Sequence, residues 1–448
     1  MTPTPVANLS ETTVAVCVIS ILLIPLAGAG LSLISAGLGR ARSSSHMMMG
    51  SLCVISVAAI VYFLFGFAWQ GYAGSPGLEL VIGAKGWNWI GSAPFFFRKM
   101  DSRPGVLLSA LFGMFSVGLA GLIPLGTGAD RWRLGSICGS TALLAAWTFP
   151  LFAHWVWGGG WLGQLGANAG LGQGFVDAGG SSVIQVVGGL TALSIAWILG
   201  PRRGKYTAEG MPSAIPGHNS VLVLFGCTLA LVGWMGLNSA GAVLFAGVGP
   251  EATILIAINT MLSAATAGLI SAAITRVRFG KPDASLTANG WVGGLVASSA
   301  ACAFVVPAEA VVIGGVAGAL VTFSIEWFEL RLEVDDPSGS VSAHALGGLW
   351  GVLAAGIFGN VARYSLPGRL PNANSSPGGQ FWAQVVGIAT LIGLVLPITY
   401  GLNWLLNRFY PQRVASEGER QGMDLYELGA GAYPDFMTHS EEFSQHKI

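Results

Sequence analysis

Short polar stretches divide this chain into about eleven apolar runs, each close to the ~20 residues that an α-helix needs to cross a bilayer. In hydrocarbon an unpaired backbone N–H or C=O finds no water, so a chain of such runs is confined to a bundle of helices. Composition agrees. Only 9% of the residues are charged, against ~25% in a typical soluble domain. Lys plus Arg and Asp plus Glu number 21 each, so there is no basic footprint for nucleic acid and no acidic tail. The 66 glycines would weaken helices in water, but within a bilayer small residues let helices approach closely. Cys17, Cys53, Cys138, Cys227 and Cys302 lie in apolar runs at irregular spacing, which suits small buried side chains rather than a disulfide or zinc framework. Met1 to Glu11 has no basic segment before the first apolar run, so no cleaved signal peptide is expected.

The spans fall near 12–36, 48–70, 104–125, 134–154, 178–199, 219–239, 251–275, 285–305, 308–330, 340–359 and 380–406. Arg40, Arg42, Arg131, Arg133, Arg202, Arg203, Lys205, Arg276, Arg278, Lys281, Arg331, Arg408 and Arg413 gather on one side of the layer. Lys85, Arg98, Lys99, Arg103, Arg363 and Arg369 are on the other. The positive-inside bias then puts the N-terminus outside and the C-terminus inside. The expected fold is an all-α polytopic membrane protein with about eleven transmembrane helices. Two inverted five-helix repeats, about 12–200 and 219–360, are followed by one extra helix at 380–406. Together these make a transmembrane domain over 1–406, with a cytoplasmic tail over 407–448.

The repeat shows itself in one duplicated pattern. Asp177 to Gly189 reads D-A-G-G-S-S-V-I-Q-V-V-G-G, and Asp336 to Gly348 reads D-P-S-G-S-V-S-A-H-A-L-G-G. Both fit D-x-x-G-S-x-x-x-(Q/H)-x-x-G-G, about 160 residues apart in two hydrophobic halves. Matching polar positions in duplicated halves mark a transporter built from structural repeats. Gln185 and His344 each follow their Asp by eight positions, ~12 Å along a helix, which puts them deep in the apolar layer. If a pseudo-twofold axis relates the halves, the two side chains meet at the bundle centre, either lining a pore or as a packing hydrogen bond. Asp177 and Asp336 open the two spans, where they can cap a helix N-terminus; Asp177 could also help recruit a cation. No acid lies near either centre, so the lining favours a substrate that crosses uncharged, and neither metal nor cofactor is implied. Trp155, Trp157 and Trp161, Phe112 and Phe115, and Trp234 are aromatic faces that could gather a small cation by cation–π attraction, or serve as an interfacial belt. Nothing resembles a Walker loop, a metal cluster or a nucleophile triad, so an enzyme is not expected.

These motifs resemble the ammonium transporter (Amt/Mep/Rh) family. The segment from Asp177 to Gln185 is similar to its span-five motif D-F-A-G-x-x-V-V-H, and V-D-D-P-S-G-S-V-S-A-H-A-L-G-G-L-W-G, from Val334 to Gly351, is similar to its span-ten motif. A-H-W-V-W-G-G-G at Ala153–Gly160, G-W-M-G-L-N at Gly233–Asn238 and the tail M-D-L-Y-E-L-G-A-G-A-Y-P-D-F at Met423–Phe436 also resemble family stretches. The resemblance implies a homotrimer in the inner or plasma membrane, with one narrow apolar pore per subunit that moves ammonium as ammonia. A PII-type regulator would bind the cytoplasmic tail. By match, Trp157 and Phe115 belong to the vestibule and phenylalanine gate, Asp177 is the supporting acid and His344 the second pore histidine; in our reading Trp157, Phe115 and Trp234 shape the entrance. The chain departs from the pattern at Gln185, which replaces the first pore histidine, at Leu237, which replaces a gate phenylalanine, and at Gly241, which replaces a vestibule serine. A receptor of the same fold, or a channel for another small molecule such as carbon dioxide or methylamine, are the alternatives.

Overall fold

The computed structural model describes residues 9–361, 366–367 and 378–433. Arg363, Arg369 and Pro371, and the tail beyond position 433, lie outside the described residues. Among the described residues, ten helices of at least 18 residues are long and apolar enough to cross a membrane. An eleventh, Ala284–Ser299, has 16 residues and occupies the place expected of span eight. The chain is a multi-pass membrane protein.

Span one is Glu11–Leu38, capped by the Ser10 hydroxyl on the Thr13 N–H. Span six is Ser220–Phe245, capped by the Asn219 side chain on the Val221 and Leu222 N–H groups. The two run antiparallel along a glycine seam. A Cβ on Gly30 would meet the Gly226 carbonyl oxygen at 2.5 Å, and one on Gly226 would meet the Gly30 carbonyl oxygen at 2.6 Å. Further along the seam, Gly233 packs on Ala27. With no hydrophobic drive between helices in lipid, such backbone approach supplies the packing.

The segment between spans two and three is not plain loop. It holds a hairpin of Gly77–Ile82 and Lys85–Gly91. Its two-residue turn uses Gly83 and Ala84, both at positive φ, the requirement of the twist-matched hairpin turn. The His154 ring ties span four to this hairpin, with Nδ1 2.7 Å from the Gln70 carbonyl and Nε2 3.1 Å from Asn88 Oδ1.

At the opposite end, buried charges join three loops. Arg202 donates to Asp335 through Nε (2.9 Å) and Nη2 (3.0 Å) and to Asp130 through Nη1 (3.2 Å). Arg131, fully buried, donates to the Gly200, Thr127, Ala129 and Asp335 carbonyls. Burial alone would raise the Asp335 carboxyl, but the Arg131 and Arg202 charges overcome it and bring it down to about 2. A folded-state value below the ordinary 3.8 stabilises the fold above that value, and the contribution is lost as pH falls toward 2. The shift corresponds to about 2–3 kcal/mol. Denaturation followed from pH 6 to pH 3 should therefore show a loss below about pH 4 that Asp335→Asn reduces, at the cost of a weaker fold at neutral pH.

The tail returns to this face. Spans two and four begin without side-chain caps of their own. The Asp424 carboxylate accepts from the Ser45 (3.1 Å) and His46 (2.7 Å) N–H groups, and Glu427 accepts from the Leu134 N–H (2.7 Å). Acids at helix N-termini also complement the helix dipole.

Candidate functional site

The duplicated pattern builds the same structure twice. In each copy the glycine three positions after the Asp, Gly180 (φ 96°) or Gly339 (φ 67°), is left-handed, a conformation that costs glycine little. A π-helical segment then starts, Ser181–Val186 in one copy and Val341–Leu346 in the other, each continued by an α-helix. Gln185 and His344 sit inside these two π segments, a form of helix concentrated at functional sites.

The Asp in each copy is bound to its own turn. Asp177 accepts from the N–H groups of Gly180 (2.8 Å), Ser181 (2.9 Å), Ser182 (2.7 Å) and Val183 (3.1 Å), and from the Ser182 hydroxyl (2.5 Å). Asp336 accepts from the Val341 N–H (2.7 Å), the Ser338 hydroxyl (3.2 Å) and the Thr127 hydroxyl of span three (2.7 Å). Both are capping geometries. With its oxygens so engaged, Asp177 acts on the site through the loop it holds.

The glycine pairs let the two spans cross. The second glycine of one copy, Gly189, packs on Ala345, and that of the other, Gly348, packs on Val186 and Ser181. Residue numbers rise on one span as they fall on the other, so the spans are antiparallel. This contact brings Gln185 and His344 together. His344 Nδ1 lies 2.8 Å from Gln185 Oε1, with both residues buried. An amide oxygen only accepts, so Nδ1 carries the hydrogen and Nε2 keeps the lone pair. The Gln185 Nε2 amide, and the hydroxyl of Ser116 in span three, have no hydrogen-bond partner among the described residues.

Cavities lie at both ends of the bundle. A cavity of about 600 Å³ reaches Trp157, Leu244 and Phe245, beneath the hairpin residues Glu79, Lys85 and Asn88. At the other end a cavity of about 150 Å³ is lined by Arg202, Asp335, Asp336, Asn289 and Ser342. Asn289 also borders a void of about 10 Å³ against His344.

Trp234 lies beside His344, ring centroids 6.5 Å apart, with its indole N–H 3.2 Å from the Ser299 hydroxyl. Leu237 is fully buried on the same helix. Gly241 packs on the Ala178 carbonyl oxygen, where no side chain fits without displacing the Asp177 loop. Trp157 donates from Nε1 to the Asp177 carbonyl (2.7 Å). The span-three ring against it is Phe112, at 5.7 Å; Phe115 is half-buried on the same helix, and no ring contact joins it to Trp157 among the described residues. The structure adds Phe245, stacked flat on Trp157 at 4.3 Å and 4°. Sequence reasoning did not single it out: a phenylalanine ending an apolar run reads as a belt residue.

A sequence model described as the Ammonium Transporter Family matches residues 15–433. The chain is 34% identical over 426 residues to the ammonium transporter Amt2 of Archaeoglobus fulgidus, covering 92% of this chain and 86% of that protein. It is 30% identical to an ammonium transporter of Bacillus subtilis, covering 93% of this chain and 97% of that one. Among solved structures it is similar to one named Sensor Amt Protein, with TM-score 0.82 and 25% identity over 93% of this chain and 98% of that one. It also shares the fold of Saccharomyces cerevisiae Mep2, with TM-score 0.77 and 24% identity over 92% and 90% of the two chains.

Proposed function

This chain belongs to the ammonium transporter family, and on that premise we propose that it moves ammonium across the membrane as ammonia, through a conduit lined by Gln185 and His344. The observation that carries the reading is the 2.8 Å bond between those two side chains, at the crossing of the two pattern-bearing spans, with a small void against His344 on one side.

The chemistry of the pair favours a neutral passenger. Gln185 Nε2 offers N–H donors and His344 Nε2 an acceptor. Ammonia has one lone pair and three hydrogens and can satisfy both. Ammonium has no lone pair for the glutamine, and a charge in a dry channel without an acid is costly. Ammonium therefore gives up its proton to water in the cavity at Trp157, which we take as the outer vestibule, and the ammonia takes a proton from water at the Asp335 end. Glutamine cannot titrate in the physiological range, so no proton is handed across the pair and the flux is of ammonia alone.

We place the N-terminus outside and the tail inside, from the distribution of Lys and Arg, and take the two halves as inverted repeats, as the antiparallel crossings of spans one with six and five with ten support. Trp157, Trp234 and Leu237 shape the path. Gly241, Asp177 and Asp336 hold the loops that frame it, and Phe115 borders the entry helix. The assembly is a homotrimer, and the docked segment from Ser416 to Gly429 is the surface for a PII-type regulator. A receptor reading is favoured by one feature, the tail acids Asp424 and Glu427 capping spans two and four, which would let the bundle report its state to the tail.

Proteoliposomes given an ammonium jump separate the two. Transport predicts internal alkalinisation from ammonia entry with little net current. Binding of ammonium with neither signal would leave the receptor.

A further inference from the structure

We infer that Phe245 is a movable lid over the cation-recruiting face of Trp157, and that it sets the affinity and size selectivity of the entrance. The inference rests on the transport reading above. Trp157, Phe112 and Phe245 form a closed cluster. Phe245 covers one face of the indole at 4.3 Å, and Phe112 stands edge-on to both, at 5.7 Å from Trp157 and 5.4 Å from Phe245. A cation uses the face of an aromatic ring, within about 6 Å of its centroid, and that place on Trp157 is occupied by a ring.

Only one member of the cluster is free to leave it. Trp157 is pinned by its N–H bond to the Asp177 carbonyl, in a loop that the Asp177 carboxylate ties down. Phe112 is fully buried in mid-helix. Phe245 is half-buried, is the last residue of its helix, borders the 600 Å³ cavity, and is followed two residues later by Gly247 at φ 64°. Rotation of Phe245 toward the cavity exposes the indole face to the cation. Entry therefore works against the stacked pair, and a larger cation needs a wider opening than ammonium does.

Removing the lid should tighten binding. Phe245→Ala is expected to lower the half-saturation concentration for ammonium about 2- to 10-fold, the equivalent of one stacked aromatic pair, with maximal rate little changed and a larger fall for methylammonium. Phe245→Trp, a heavier lid, should shift both the other way. If Phe245 were instead a fixed wall that binds the cation, alanine would raise the half-saturation value, and the inference fails. Damage to the fold would lower maximal rate in both variants without opposite affinity shifts, and this too overturns it. Equilibrium binding of labelled methylammonium reads the same shifts without flux, so a wild type that binds but does not transport would defeat the transport reading and leave the lid separately decided.

Discussion

Asp177→Ala is expected to destabilise the protein by about 3–5 kcal/mol, the range reached when a buried hydrogen-bond cluster loses its acceptor. The carboxylate takes four backbone N–H groups and one hydroxyl. Alanine leaves those donors at a buried helix start, where each unmade bond costs ~1–3 kcal/mol before relaxation or entering water offsets part of it. Thermal unfolding in detergent measures the loss. Asp177→Asn keeps one accepting oxygen and should recover roughly half. Ammonia flux should fall as well, because the same loop holds the Trp157 indole. A stable Asp177→Ala variant with unchanged flux would show that the cap is dispensable.

Gln185→His should change what is carried. A second imidazole beside His344 restores a group that can bind and release a proton near neutral pH. Charge movement on an ammonium jump should rise about a hundredfold, the low end of what a positioned acid–base group supplies. His344→Ala should act in the opposite sense. It removes the acceptor toward the passenger and leaves Gln185 Oε1 buried without its donor, at ~1–3 kcal/mol, and the pore should then carry neither current nor appreciable ammonia. Currents and internal pH in one proteoliposome preparation distinguish these outcomes. Equal currents in wild type and Gln185→His would refute a glutamine block on proton transfer.

The repeated pattern was legible in its Asp, Gln/His and final glycine slots, whereas the left-handed turn at its fourth position was not read from the sequence. Asp177 and Asp336 cap, Gly180 and Gly339 turn the chain left-handed, Gln185 meets His344, and Gly189 and Gly348 let the spans touch. Each slot states a local need of the backbone or of a helix crossing, and the needs recur because the structure does. The hairpin over the cavity went unread although its signal was present: G-L-E-L-V-I and K-G-W-N-W-I-G flank a two-residue turn. In a chain dominated by apolar runs, that short alternation passes as loop. On span three the sequence offered Phe112 and Phe115 as aromatic candidates and the resemblance favoured Phe115, whereas Phe112 touches Trp157. Three residues apart, both rings lie near one helix face, and small rotations of the helix determine which one reaches the indole.

By itself the sequence determined the class of structure: apolar runs of spanning length, duplicated, with paired polar positions in mid-layer and glycines where two helices must meet. These follow from local rules, the helix period and the absence of water in a bilayer. Tertiary structure alone decided that Phe245 lies flat on Trp157, that the buried Arg202 bridges Asp130 and Asp335, and that tail acids cap spans two and four. Residues far apart in the chain become neighbours only through the angle and depth at which whole helices pack, which no periodicity within one segment encodes.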